Sequence, residues 1–153
     1  MYTHLLLPTD GSPLSGDALE RGLALARSLG AQATILTVVE PFYMFTASDD
    51  HLGETREQYE KFAREAAREI LQNAKDRAAE LGVQAQVKLV GSEHPDQAII
   101  DAVKEFGCDL VAMASHGRRG VNALLLGSVT QKVLTHAPVP VLVLRPPAAQ
   151  SGP

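Results

Sequence analysis

The chain has 153 residues, 45% of them apolar and 21% charged, with a formal net charge of −4 and a single cysteine, Cys108. That length can bury a core as one domain, and the ordinary balance of apolar and charged residues argues against disorder. The acidic surplus argues against a nucleic-acid partner, the lone cysteine rules out an intrachain disulfide or a cysteine-based zinc site, and no apolar run nears the roughly 20 residues that span a bilayer.

Met1-Tyr2-Thr3-His4 runs straight into an apolar segment without a basic stretch ahead of it, so a soluble, cytoplasmic protein with no membrane association is expected. Leu5-Leu6-Leu7 reads as a strand buried on both faces and ended by Pro8. Pro8-Thr9-Asp10-Gly11-Ser12 is a turn by composition, and Ser12-Pro13 is an N-cap followed by proline at the first helical position. The helix that follows carries Leu14, Ala18, Leu25 and Leu29 on one face, widened by Leu19, Leu23 and Ala26, and stops at Gly30, with Gly16 and Gly22 either weakening it or allowing close packing. Residues 33–39 are β-branched and apolar, a second strand ended by Glu40-Pro41. A long connection, 41–53, holds Phe42, Tyr43, Met44 and Phe45 and has the length of a lid or binding loop.

From Glu54 to Leu81 the period is helical, with Tyr59, Phe62, Ala63, Ala66, Ile70, Ala74 and Leu81 as the expected apolar face. Val83, Ala85, Val87 and Leu89 alternate with polar residues, as in a half-buried strand near a sheet edge. A helix is expected over Pro95–Phe106, a strand over Asp109–Met113, a helix from about Val129 to His136, and a last strand over Val141–Leu144. Residues 146–153 read as a flexible tail. Strands alternating with helices predict an α/β fold: a single open, doubly wound, parallel five-stranded sheet with helices on both faces, Rossmann-like, over residues 1–145.

Ligands of such sheets bind beyond the carboxyl ends of the strands, at the topological switch point. The chain's best polar groups fall there, in Pro8–Ser12, Val38–Glu40 and Ala114–Gly120. The stretch Ser115-His116-Gly117-Arg118-Arg119-Gly120 leads to Gly127-Ser128-Val129-Thr130, where Ser128 and Gln131 have the spacing of a capping box. A glycine-bearing loop aimed at a helix N-terminus is an anion site, here expected to take a nucleotide's phosphates. Asp10 reads either as a group for ribose hydroxyls or a metal, or as a turn aspartate bonding its own backbone. His116, Arg118 and Arg119 read either as phosphate partners or as plain loop residues. The chain lacks a Walker loop, a G-x-G-x-x-G turn and a G-x-S-x-G elbow, and no metal ligands and base for phosphoryl transfer can be assembled. A phospho-receiver domain needs an acceptor aspartate after the third strand and a lysine after the fifth, where this chain has Ser92-Glu93 and Arg145.

Over residues 2–145 the chain resembles the universal stress protein family. Pro8-Thr9-Asp10-Gly11-Ser12 follows the first strand, Gly117 is followed by nine residues and then Gly127-Ser128, and Pro138-Val139-Pro140-Val141-Leu142-Val143-Leu144 is similar to the family's last strand. The family's first motif glycine falls on Ala114, a departure. The resemblance implies ATP, with magnesium if Asp10 takes part in holding it. It places Asp10 near the ribose or adenine, the Val38 backbone at the adenine, and His116, Gly117, Gly127, Ser128 and Val129 around ribose and phosphates. Pro8, Thr9, Met113, Ala114, Arg118 and Thr130 complete the expected site. It further implies a homodimer through antiparallel pairing of Val141–Leu144. The expected function is a nucleotide-dependent switch in stress response, with at most slow hydrolysis and protein partners that the sequence does not name. The rivals are a true ATP hydrolase or nucleotidyl transferase on this fold, and a nucleotide-free dimerisation module with Ala114 marking a lost site.

Overall fold

The computed structural model describes residues 1–41, 55–117 and 125–146. In chain order the elements are β1 (His4–Pro8), α1 (Pro13–Leu29), β2 (Gln32–Val39), α2 (Arg56–Glu80), β3 (Ala85–Gly91), α3 (Pro95–Phe106), β4 (Leu110–Ala114), α4 (Ser128–His136) and β5 (Val141–Leu144). The strands form one parallel sheet in the order β3-β2-β1-β4-β5. The order reverses between β1 and β4, which is the switch point of a doubly wound sheet.

The two faces of β1 seed two cores. Leu5 and Leu7 pack with Leu23 and Ala26 of α1 and Leu71, Ala74 and Ala78 of α2. Leu6 points the other way and packs with Ile99 and Val103 of α3 and Val133 of α4. All three leucines are fully buried, as a strand covered on both sides requires. Each contributes roughly 1.5–3 kcal/mol relative to an exposed side chain. Gly22 is there for packing: a Cβ on it would lie 2.7 Å from Leu7 Cδ2, so the glycine lets α1 close onto β1.

α1 begins where the residues predict, with the Ser12 hydroxyl accepting the Ser15 N–H and Pro13 in the first turn, and ends on Gly30 in the left-handed conformation. Its buried stripe is Ser15, Ala18, Gly22, Leu23 and Ala26, while Leu14, Leu25 and Leu29 are only half-buried. α2 differs more. It starts at Arg56 behind a reciprocal capping box between Thr55 and Gln58. Its core face is Ala67, Leu71, Ala74 and Ala78, and Phe62 is 76% exposed. The helix carries two apolar stripes, and the sheet takes the alanine-rich one because small side chains allow closer approach. The expected strand from Val83 is shifted: Val83 is buried ahead of β3, which runs on to Gly91 and is an edge strand as expected. Most of the 41–53 connection and of the 146–153 tail lies outside the described residues.

At the amino end of the sheet a polar network ties four strands. Asp109, just before β4, accepts the N–H groups of Thr3 and His4 at 2.9 and 3.0 Å, and His4 Nε2 meets Thr34 Oγ1 of β2 at 2.7 Å. Gln86 of β3 donates to the same hydroxyl at 3.0 Å. Burial acts to raise the Asp109 carboxyl, but the bonds from Thr3 and His4 outweigh it and hold the group below its usual range. Burial pushes the Cys108 thiol up to about 11, against a bond with Thr34 that lowers it, so the thiol stays protonated at neutral pH.

Burial also lowers the His4 pKa, only partly opposed by the Asp109 charge. The unfolded chain therefore takes up this proton more readily than the folded one, and the stability contributed by neutral His4 is present above the unfolded value of about 6.5 and lost as pH falls through the lower folded value. Urea unfolding midpoints are expected to drop between pH 7.5 and pH 5.5, and His4→Gln should flatten that drop. An unchanged slope in the variant would assign the pH dependence elsewhere.

Candidate functional site at the carboxyl end of the sheet

β1 stops at Pro8, opposite Leu36, while β2 continues to Val39. Thr9 N–H donates to the Leu36 carbonyl at 2.9 Å, and the Thr37 hydroxyl donates to the Thr9 carbonyl at 2.9 Å. In a parallel ladder alternate residues face the same neighbour. Val38 therefore faces the same side as Leu36, where β1 has ended, and its peptide groups border the space left there.

Asp10 folds back on its own turn. Its Oδ1 accepts the Ser12 N–H at 2.9 Å and the Ser15 hydroxyl at 2.8 Å, and Gly11 takes the left-handed φ of 80° that the turn needs. This is the Asx-type bonding of a turn aspartate. The other oxygen, Oδ2, lies beside Gly117 across the switch point: a Cβ on Gly117 would stand 2.7 Å from it. The bonds of Oδ1 are those of the turn reading, and Oδ2 is the oxygen that faces Gly117. Ser15, which also meets Thr9 Oγ1 at 3.1 Å, is the positioning residue that sequence reasoning missed.

On the other side, β4 ends at Ala114 and the chain returns at α4. Two bonds fasten that return: Gly127 N–H to the Ser115 carbonyl at 2.8 Å, and the buried Thr130 hydroxyl to the Ala114 carbonyl at 3.0 Å. Gly127 has an ordinary extended conformation, so it is needed for space rather than for φ. A Cβ there would be 2.9 Å from His116 Cβ and 3.0 Å from His116 Cα. The expected capping box at Ser128 is not formed. Gly127 is the N-cap, Ser128 is the first helical residue, no side chain caps the helix, and Gln131 instead donates to the Leu126 carbonyl at 3.3 Å. The physical reason is that Gly127, held to the Ser115 carbonyl, gives its own carbonyl to the Gln131 N–H at 3.0 Å, so the helix starts one residue earlier than the sequence pattern implied. Among the described residues, the first turn of α4 therefore keeps donors that no side chain occupies.

Pro8, Thr9, Asp10, Val38, Met113, Ala114, His116, Gly117, Gly127, Ser128, Val129 and Thr130 all line one cavity of about 690 Å³. Arg118 lies outside the described residues. The Ala114 side chain is buried at the cavity edge, 7% exposed. The second apolar stripe of α2, from Tyr59 through Phe62, Ala63 and Ala66 to Ile70, forms the far wall. That explains why a sequence period assigned it to a core. Four carboxylates, Asp10, Glu40, Glu93 and Asp96, line the cavity, and Lys132 is its only lysine or arginine among the described residues. Among the described residues no group of three or more His, Cys, Asp or Glu side chains could hold a metal, and no helix is long and apolar enough to cross a membrane. The arrangement offers backbone donors, a hydroxyl and one ammonium at its α4 end, and apolar surface opposite. That suits an amphipathic anion of nucleotide size.

A family model described as the universal stress protein family matches residues 1–145. The chain is similar to the universal stress protein YxiE of Bacillus subtilis, 34% identical over 149 residues, covering 95% of this chain and 100% of that protein. Its fold superposes on the structure of MJ0577 of Methanocaldococcus jannaschii with a TM-score of 0.81, at 26% identity and with 97% and 99% of the two chains covered. Two more distant structures share the fold: a universal stress protein in complex with cAMP, at 24% identity and TM-score 0.67 over 94% and 97% of the two chains, and one from Archaeoglobus fulgidus in complex with dAMP, at 16% and 0.66 over 95% and 98%.

The tight seat of Gly127 gives a direct test of the loop return. Gly127→Ala must displace His116 backbone, and such overpacking costs about 1–3 kcal/mol. Urea denaturation should register that loss; a variant as stable as the native chain would show that the return is not held at Gly127.

Proposed function

The chain belongs to the universal stress protein family, and on that premise we propose that it is a dimeric adenine-nucleotide-binding protein of the stress response, acting in the cytoplasm as a nucleotide-dependent switch. ATP is the proposed ligand. The observation that carries this reading is the uncapped first turn of α4, opening into a 690 Å³ cavity at the switch point of the sheet. Ser128, Val129 and the neighbouring N–H groups receive the phosphates, since the positive end of the helix dipole and free donors favour negative charge there. His116 and Gly117 lie along the ribose and phosphates, with Gly127 and Thr130 holding the start of α4 against them; Arg118, next in the sequence, is assigned to the same ligand. Pro8, Thr9 and Asp10 form the opposite rim, and the Val38 backbone reads the adenine edge. Met113 and Ala114 make the floor. The adenine complexes of two relatives of this fold support the choice of base.

Asp10 Oδ2 is the group that would assist a magnesium ion on the phosphates. Such an ion, when bound, would offset phosphate charge. With one carboxylate at that point and no base placed against the phosphates among the described residues, the chain's own groups bind and orient; hydrolysis, if any, is slow.

The dimer reading rests on β5. It is an edge strand, and the bonds from Val111 N–H to the Pro140 carbonyl and from Ser115 N–H to the Leu144 carbonyl show that even-numbered residues face β4. Val141 and Val143 therefore turn their N–H and C=O groups to the open edge, and Leu142 is 40% exposed. An apolar open edge favours pairing with a second copy.

Two experiments test these assignments. The first is to purify the chain without added nucleotide, denature it, and identify any released molecule by chromatography and mass. Stoichiometric ATP supports the switch reading, ADP or AMP alone points to hydrolysis, and an empty protein that fails to take up ATP favours the nucleotide-free module. In the same assay Gly117→Val, whose Cβ would stand 2.7 Å from Asp10 Oδ2, should abolish binding while the chain still unfolds in one cooperative step, which separates a lost site from a lost fold. The second is sedimentation of Val143→Pro, which removes an outward N–H without touching the β4 ladder. It should run as a folded monomer, and a persistent dimer would place the interface elsewhere.

A further inference from the structure

The cavity's charges are unevenly distributed for a ligand that carries several phosphates. Asp10, Glu40, Glu93 and Asp96 are acidic, and Lys132 is the only lysine or arginine among the described lining residues. Lys132 stands four residues after Ser128, so the two lie on one face of α4, a turn apart. Side chains on a helix lean toward its N-terminus, and a lysine stem spans the roughly 5.4 Å of one turn. The ammonium can therefore come level with Ser128, at the uncapped first turn. Lys132 is exposed, and it takes part in none of the ion pairs among the described residues. Its charge is not committed to a structural contact.

We propose that Lys132 is a specificity-determining residue that sets the preference of this site for a nucleotide triphosphate over a monophosphate or the bare nucleoside. The inference rests on the nucleotide reading of the cavity and deepens it. The helix terminus presents only a few donors within its first turn and serves a first phosphate about equally in every nucleotide. Each further phosphate brings more negative charge to a cavity whose described lining includes four carboxylates and one lysine. A flexible ammonium one turn down α4 is placed to meet that added charge and has nothing to meet in adenosine. A single exposed charge pair of this kind changes affinity by roughly fivefold to tenfold at low salt, and less as salt screens it.

The test is to titrate the purified full chain with adenosine, AMP and ATP, using native protein, Lys132→Gln and Lys132→Arg. Titrations are run without divalent cation, so that the protein alone meets the phosphate charge, and at low and high salt. In Lys132→Gln, ATP affinity is expected to fall by about fivefold or more at low salt with adenosine affinity unchanged. AMP should fall less than ATP, the ATP deficit should shrink at high salt, and Lys132→Arg should keep most of the preference. Equal losses for ATP and adenosine, or no loss for ATP, would overturn the inference and leave the site reading standing. Failure of the native chain to bind any of the three would overturn the site reading, and the inference with it.

Discussion

The return of the chain from β4 to α4 is fixed by a hydrogen bond from Gly127 N–H to the Ser115 carbonyl and by the Thr130 hydroxyl on the Ala114 carbonyl. Both bonds join the carboxyl end of β4 to the start of α4. They hold Gly127 at the N-cap, where no side chain among the described residues caps the helix, and bring Gly127 so near His116 that no Cβ fits between them. The carboxyl end of β4, the α4 dipole and the Asp10 turn thereby share one space. Loosening either bond would draw the start of α4 away from the end of β4.

That space exists because β1 is short. It ends at Pro8 while β2 runs to Val39, and β4 lies on the opposite side of β1 from β2. A parallel sheet that reverses its order at the central strand leaves a crevice there, since the two flanking crossovers cover opposite faces. α1 and α2 lie on one face, α3 and α4 on the other. The cavity is thus a product of topology first and of side chains second. The polar network of Asp109, His4, Thr34 and Gln86 holds the far end of the same strands in register, leaving the carboxyl end for ligand contacts.

α2 shows how one helix serves two environments. Its alanine-rich stripe, Ala67, Ala74 and Ala78 with Leu71, lies on the sheet, and Tyr59, Phe62, Ala63, Ala66 and Ile70 line the cavity. Phe62 is exposed because it belongs to a wall rather than to the core. An apolar wall facing backbone donors across a crevice is what an amphipathic ligand requires.

Much was legible in the residues alone. The strand–helix alternation, the α1 and α3 limits, the β5 limits and the gathering of Pro8–Ser12, Val38 and Ala114–Gly117 at one end follow from local signals: apolar runs, Ser12-Pro13, and glycines after helices. Local signals could not say which stripe of α2 meets the sheet, because both have the same period and burial is decided by how closely two elements approach. Nor could they locate the α4 cap. Ser128-x-x-Gln131 satisfies the pattern of a capping box, yet Gly127, held to the Ser115 carbonyl, gives its own carbonyl to the Gln131 N–H and takes the cap position. The roles of Ser15 and Lys132 were hidden for the same reason: each depends on a neighbour that only the closed fold supplies. Period and punctuation determine which elements form; the competition among their surfaces for close packing and for hydrogen-bond partners decides how they face one another.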